Sequence, residues 1–191
     1  MKSIKENVYN EYVINKSKFI TELIKINNTN DININLDNIK KKYTGATHYC
    51  YAYIIDNEKR FNDDGEPSGT AGMPILNVLE NNHLNNILCV VIRYFGGIKL
   101  GAGGLVRAYT KSVTEALDKA NIVNLKEGFK ITIEFNYENT KTIDNLLKNN
   151  EIIDKQFGEL ITYTFLIDKD KFEEIKDYLN IIKKENILIT T

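Results

Sequence analysis

One stretch of the sequence, residues 86–121, limits more than any other what this chain can fold into. It opens with the apolar run Ile87–Ile92, whose β-branched side chains are typical of a strand buried on both faces. A glycine-rich segment follows, and from Leu105 to Ala120 apolar residues recur at helical spacing. The stretch therefore predicts a buried strand, a loop and an amphipathic helix in succession.

The loop of this stretch is unusually rich in glycine and in positive charge. Its glycines are Gly96, Gly97, Gly101, Gly103 and Gly104. Its basic residues, with no acidic residue among them, are Arg93, Lys99, Arg107 and Lys111. Glycine allows backbone to approach a ligand closely, and a helix N-terminus adds free N–H groups, so the pattern favours a phosphate-accepting surface. The structural alternative is a tight loop that lets the helix pack closely on the strand, and both interpretations stay open.

The composition is that of an ordinary globular protein. The chain has 191 residues, of which 42% are hydrophobic and 27% charged, and its net charge is −1. No apolar run approaches the ~20 residues that cross a bilayer, and no apolar signal core stands at the N-terminus. The prediction is a cytoplasmic protein without a membrane partner. Cys50 and Cys89 lie far apart in apolar segments, which is typical of reduced core residues.

Strands and a helix are predicted before the central stretch. Strands at 7–14 and 18–26 form a hairpin signal, and a short amphipathic helix follows near residues 32–43. In the strand Thr47–Asp56, three tyrosines share one face, where they could stack on bases or, with more weight, pack beneath a helix. His48 lies on the opposite face and is a candidate phosphate contact, although a lone strand histidine is more often only hydrogen-bonded.

A second polar segment lies between residues 63 and 72. Its candidate functional side chains are Asp63, Asp64, Glu66, Ser68 and Thr70. Turn chemistry alone explains such a composition, while the carboxylates could also hold Mg²⁺ together with a phosphate. Because Pro74 opens a helix directly afterwards, this segment also leads into a helix N-terminus. The two loops could therefore converge on one anion site.

The last third of the chain has a different pattern. Its predicted order is β-α-β-β-α-β, from a strand at Phe129–Phe135 through a helix marked by apolar residues at 172, 175, 179 and 182 to a strand at Ile187–Thr190. This is the ferredoxin-like arrangement. It carries no catalytic constellation, which indicates a binding or assembly module.

Two long motifs resemble the YigZ/IMPACT family in its bacterial two-domain form. They are Phe61–Leu76 and Arg93–Tyr109, and the segments Lys16–Phe19 and Ala46–His48 agree with them. The resemblance implies an α+β protein of two domains, residues 1–126 and 127–191. The first would have the βα fold shared by the second domain of a small-subunit ribosomal protein, ribonuclease P protein and GHMP kinases. The second would be a ferredoxin-like βαββαβ domain similar to the last domain of the translocation elongation factor.

The resemblance also directs the functional prediction toward translation. Eukaryotic IMPACT proteins regulate translation by binding an activator of a stress kinase through an extra N-terminal module, which is not expected here. The first hypothesis is a non-enzymatic, translation-associated regulatory protein that binds RNA or the ribosome without a cofactor. Its predicted contacts are Arg93, Gly96, Gly97, Lys99, Gly103, Gly104, Arg107, Lys111 and His48.

Two alternatives remain beside this hypothesis. One is a Mg²⁺-dependent enzyme acting on a phosphorylated small molecule or nucleotide, with Asp63, Asp64 or Glu66 as metal ligand or base. No P-loop or nucleophile–base pair supports it, so the non-enzymatic hypothesis carries more weight. The other alternative makes both loops structural, with a protein partner meeting the C-terminal sheet. The sequence sets no oligomeric state.

Overall fold

The computed structural model describes residues 1–56 and 58–190, which form two compact units. The first unit is Met1–Asn124 and the second starts at Leu125, so the division falls within one strand, β7 (Ile122–Phe135). Both units combine helices with antiparallel sheet. This confirms the predicted α+β class in two domains. Across the described residues, no helix has the length and apolar character needed to span a bilayer.

The first unit is built on a five-stranded antiparallel sheet with the order β2-β3-β6-β4-β5. The strands are β2 (Val8–Ile14), β3 (Ser17–Lys25), β4 (His48–Ile55), β5 (Glu58–Asn62) and β6 (Ile87–Tyr94). The central strand is β6, and its residues from Ile87 to Arg93 are buried. The predicted strand with two covered faces is therefore confirmed.

Helices cover both faces of this sheet. Helix α1 (Asn30–Lys42) packs its buried isoleucines against one face, while α2 (Gly72–Asn81) and α3 (Gly101–Leu117) pack against the other. Tyr53 is buried on the α1 side, with the other two tyrosines of β4 packed beside it. The tyrosine face is thus part of the core beneath a helix, as the preferred interpretation predicted.

The hairpin between β2 and β3 turns through only two residues. Asn15 and Lys16 have φ values of 45° and 61°, and Ile14 pairs with Ser17 across the turn. Positive φ at both central residues gives a turn whose twist matches that of the flanking strands. The compact turn places the backbone of Lys16 against Gly96, in the glycine-rich loop.

One local prediction for the first unit is corrected, and two short strands are present that the local pattern did not predict. A short strand β1 (Lys2–Ile4) pairs with residues 122–124, and β5 pairs with β4. Helix α3 begins at Gly101, so three of the five glycines belong to its first turn and only Gly96 and Gly97 lie in the loop. Short strands are stable only through their partners, which local patterns do not reveal.

The second unit has the strand order β10-β7-β9-β8, all antiparallel. Its remaining elements are α4 (Thr140–Leu146), β8 (Ile152–Phe157), β9 (Ile161–Asp168), α5 (Lys169–Ile175) and β10 (Ile181–Thr190). This is the predicted ferredoxin-like connection of two βαβ halves. The α-helix expected to reach residue 182 instead ends at Ile175, a 3₁₀ turn follows at Lys176–Tyr178, and β10 begins at Ile181.

Candidate functional site

The polar segment before α2 is folded around the carboxylate of Asp63. Its Oδ1 accepts hydrogen bonds from the backbone N–H groups of Ala71 at 3.0 Å and Gly72 at 2.8 Å, and its Oδ2 accepts one from Gly69 at 2.9 Å. The amides of Ala71 and Gly72 stand at the start of α2, where a helix leaves N–H groups without intrahelical partners. Asp63 therefore caps this helix from a position nine residues away.

Two other polar side chains of the segment also bind backbone. Asp64 Oδ2 accepts the N–H of Tyr49 at 2.6 Å, and Thr70 donates its hydroxyl to the carbonyl of Pro67 at 2.7 Å. Ser68 is exposed. Among the described residues, no three metal-ligating side chains are grouped so that they could hold an ion. Asp63 and Asp64 thus accept hydrogen bonds from the protein's own amides, and the Mg²⁺ site of the enzyme alternative stays a prediction.

Glu66 and Arg93 form a buried ion pair at the centre of this region. Arg93 Nη1 lies 2.6 Å from Glu66 Oε1, and the side chains are only 6% and 3% exposed. Tyr109 donates its hydroxyl to the same carboxylate oxygen at 2.8 Å. Arg93 is at the end of β6, Glu66 precedes α2 and Tyr109 is in α3. The polar segment thus contacts the strand before the glycine-rich loop and the helix after it, and it does so through a carboxylate.

Two groups close to the Glu66–Arg93 pair remain protonated because they are buried. Burial raises the pKa of the Cys50 thiol to about 12, and it also raises the pKa of the Tyr109 phenol. The thiol lies 3.2 Å from the Tyr109 hydroxyl. Since Tyr109 keeps its proton near neutral pH, it remains a hydrogen-bond donor to Glu66.

Two residues predicted to contact phosphate are placed elsewhere by the structure. The guanidinium of Arg93 lies 5.4 Å from the ring centroid of Phe19 and 5.5 Å from that of Phe95, and Glu66 neutralises its charge. His48 donates Nδ1–H to the carbonyl of Asp64 at 2.8 Å, and its Nε2 is 3.8 Å from Glu66. The structure corrects the prediction for Arg93, whose role is structural, and it gives His48 a loop carbonyl as its partner.

Three of the four basic residues in the glycine-rich stretch are exposed: Lys99, Arg107 and Lys111. Among the described residues, Arg107 makes no ion pair, and its Nη1 would lie 3.6 Å from a Cβ placed at Gly103. Its guanidinium therefore lies over the first turn of α3. Lys111 is 3.8 Å from Glu115 and 5.0 Å from the ring centroid of Tyr12. This face of α3 carries positive charge beside the glycine-rich loop.

The N-terminus of α3 is open to an anion. Leu100 occupies the N-cap position without a side-chain hydrogen bond, and no acidic residue stands in the first turn. Gly101 and Gly103 are exposed there. Because the first N–H groups of a helix have no intrahelical acceptor and carry partial positive charge, they favour a negatively charged ligand. The predicted contacts at Gly103 and Gly104 thus coincide with this first turn.

Residues 15–117, which contain both loops, match the family model described as the Impact N-terminal domain. The chain belongs to the IMPACT family. It is 40% identical over 182 residues to IMPACT family member YvyE of Bacillus subtilis strain 168, covering 93% of this chain and 84% of that protein. It is 35% identical over 139 residues to IMPACT family member YigZ of Escherichia coli strain K12, covering 70% and 68%. The predicted family is confirmed.

A solved structure agrees with this assignment along nearly the whole chain. The crystal structure of a hypothetical protein has a TM-score of 0.66 and 27% sequence identity, and the match covers 98% of this chain and 96% of that one. The two-unit architecture is therefore shared with an experimentally determined protein.

In this IMPACT-family chain, the sequence did not reveal two residues that contact the buried Glu66–Arg93 pair. Periodicity places Tyr109 only in the apolar stripe of α3, and the hairpin signal makes Ser17 only a turn residue. Ser17 Oγ accepts the N–H of Gly96 at 3.2 Å and lies 3.4 Å from Arg93 Nη2. A signal existed for Tyr109, because a phenol in a buried stripe requires a hydrogen-bond partner.

The exposed glycine Gly103 allows the two interpretations of the glycine-rich stretch to be separated. Gly103→Ala should stabilise the first unit by about 0.5–1 kcal/mol, since alanine favours helix and only the flexible end of Arg107 is nearby. Urea unfolding measures this gain. If Gly103 is needed for ligand approach, the same variant will bind RNA more weakly. Destabilisation by the alanine would contradict the prediction.

Proposed function

We propose that this IMPACT-family protein binds RNA through the surface formed by Lys99, Arg107, Lys111 and the first turn of α3. We call this surface the α3 surface. The observation that carries the proposal is the uncapped start of α3 beneath the guanidinium of Arg107, which has no ion-pair partner among the described residues. Free backbone N–H groups and a cation point to the same anionic ligand.

Phosphate oxygens are the ligand groups that this surface fits. Lysine, arginine and helix N-termini are common protein contacts to the nucleic-acid backbone, and such contacts position the ligand without reading its sequence. The cations neutralise the phosphates themselves, so the proposal requires no metal or cofactor. It also predicts little sequence preference from the α3 surface alone.

The translational setting of the proposal comes from the family resemblance. Eukaryotic IMPACT proteins are translation regulators, and the folds implied for both units also occur in a ribosomal protein and a translocation factor. We therefore propose ribosomal RNA or the ribosome as the RNA partner, which implies a cytoplasmic location. Since one fold serves many functions, the physical support for this partner is the charge of the α3 surface.

The salt dependence of RNA affinity tests the proposal. The slope of log K against log salt should become shallower by about 1.4 in the double variant Arg107→Ala/Lys111→Ala, because each phosphate contact to single-stranded RNA contributes about 0.7. Fluorescence anisotropy with a labelled single-stranded RNA, measured between ~50 and ~200 mM salt, gives this slope.

A matched control removes the same charge elsewhere on the first unit. Lys40 and Lys41 are exposed residues at the end of α1, on the other face of the sheet. The double variant Lys40→Ala/Lys41→Ala should keep the wild-type slope. Equal slopes for wild type and Arg107→Ala/Lys111→Ala, or equal losses in both double variants, would rule out the α3 surface as the RNA site.

A further inference from the structure

Phe95 is an exposed aromatic side chain in the middle of the basic, glycine-rich stretch. It follows the end of β6 and is 45% exposed. The next two residues are Gly96 and Gly97, which have no side chain to cover the ring. A Cβ placed at Gly97 would meet no atom within 4 Å, so the space beside the loop is open. The ring is therefore accessible to a ligand.

The backbone around Phe95 is held by hydrogen bonds and close packing. Its N–H donates to Thr47 Oγ1 at 3.1 Å, and the N–H of Gly96 donates to Ser17 Oγ at 3.2 Å. Gly96 lies so close to the hairpin turn that a Cβ there would overlap the carbonyl group of Lys16. Because the backbone is held, only the rotation of the ring about its own side-chain bonds is lost when a ligand binds to it.

Two exposed lysines belong to the segments beside this ring. The guanidinium carbon of Arg93 is also 5.5 Å from the ring centroid, but Arg93 is paired with Glu66 and offers no free charge. Lys16 is exposed on the turn that Gly96 contacts, and Lys99 is exposed four residues after Phe95. No acidic residue occurs between positions 93 and 111. An aromatic ring among exposed cations suits single-stranded nucleic acid, in which the bases stack on the ring and the phosphates bind the cations.

We infer that Phe95 stacks on an unpaired base, so that the RNA bound by this protein is single-stranded at that point. The inference rests on the proposed function and adds the class of RNA. A duplex keeps its bases stacked on each other and offers no free face to Phe95. Because every base has a π-face, the contact tolerates different sequences.

Substitution of Phe95 tests the inference. Phe95→Ala should weaken binding of a single-stranded RNA of about 12 nucleotides roughly tenfold and leave its salt slope unchanged, since no charge is removed. Binding of a duplex of the same sequence should not change. Phe95→Tyr should retain the affinity, whereas Phe95→Leu should lose it because leucine is apolar but has no π-face.

Phe157 provides the matched control. It is an exposed phenylalanine of the second unit, with 64% of its surface accessible, and Phe157→Ala should bind single-stranded RNA like the wild type. The chain has no tryptophan, so Phe95→Trp and Phe157→Trp each introduce one fluorophore. Single-stranded RNA should quench the fluorescence of tryptophan at position 95 and not at position 157.

The outcomes separate this inference from the proposed function. If Phe95→Ala or Phe95→Leu binds single-stranded RNA like the wild type, stacking is overturned. If only Phe95→Leu keeps the affinity, an apolar contact to the RNA that needs no π-face replaces stacking. The proposed function then still stands if Arg107→Ala/Lys111→Ala makes the salt slope shallower. Unchanged slopes in that double variant overturn the proposed function itself. Unfolding curves show whether each variant is folded.

Discussion

Replacing Glu66 with alanine should cost the first unit about 3–5 kcal/mol of unfolding free energy. The substitution leaves the guanidinium of Arg93 buried with its charge uncompensated, and it removes the acceptor of the Tyr109 hydroxyl. This loss of unfolding free energy is much larger than the loss expected for a surface ion pair, because neither buried side chain can rotate into the solvent. Urea unfolding of the full chain, fitted with separate transitions for the two units, measures the effect.

An exposed ion pair and a double substitution serve as controls for this experiment. Lys59 and Glu80 form a pair with side chains 51% and 36% exposed, so Lys59→Ala should change stability little. Glu66→Met combined with Arg93→Met removes both charges, so its cost should be smaller than the sum of the single changes. If Glu66→Ala behaved like Lys59→Ala, the ion pair would not be a major support of the fold.

Gly96→Ala should destabilise the first unit by about 3 kcal/mol or more. The added Cβ would overlap the carbonyl group of Lys16 and the backbone nitrogen of Ser17. These are backbone atoms of the hairpin turn and of the first residue of β3, so no side-chain rotation relieves the overlap. Either the hairpin or the end of β6 must move, and urea unfolding measures the cost.

The neighbouring glycine gives the comparison for Gly96→Ala. Gly97 has a φ of +84°, and a Cβ added there would meet no atom within 4 Å. Gly97→Ala should therefore lower the unfolding free energy by only about 1 kcal/mol, because alanine is strained in the left-handed backbone conformation. Equal effects of the two substitutions would mean that the close packing of Gly96 on the hairpin does not matter. A larger effect at Gly96 would show that these adjacent glycines are needed for different physical reasons.

Features with a local pattern could be predicted from the sequence. The β-branched run of Ile87–Ile92 indicated the central strand, and the spacing after Leu105 indicated α3. The second unit followed from its alternation of strands and helices. The prediction for its final helix was too long because apolar residues at 172, 175, 179 and 182 fit helical spacing, while Ile181 and Ile182 are in fact strand residues.

The centre of the candidate site could not be predicted in the same way. Arg93 and Glu66 are 27 positions apart, and their pairing depends on how α2 and β6 pack. In the sequence, Arg93 looks like Lys99, a cation in a stretch without acidic residues. Only the fold shows that Arg93 is buried against a carboxylate while Lys99 is exposed. Local charge patterns therefore overestimated the number of free cations.

The short ladder between β1 and residues 122–124 sets where an excised N-terminal domain has to be cut. Lys2 pairs with Asn124 and Ile4 with Ile122, whereas the family match already ends at residue 117. A fragment that stops at the end of the family match would leave β1 without this partner strand. The two ends of a domain that stops at Asn124 lie side by side. Such a domain is therefore also suited to circular permutation, with new termini opened in a surface loop.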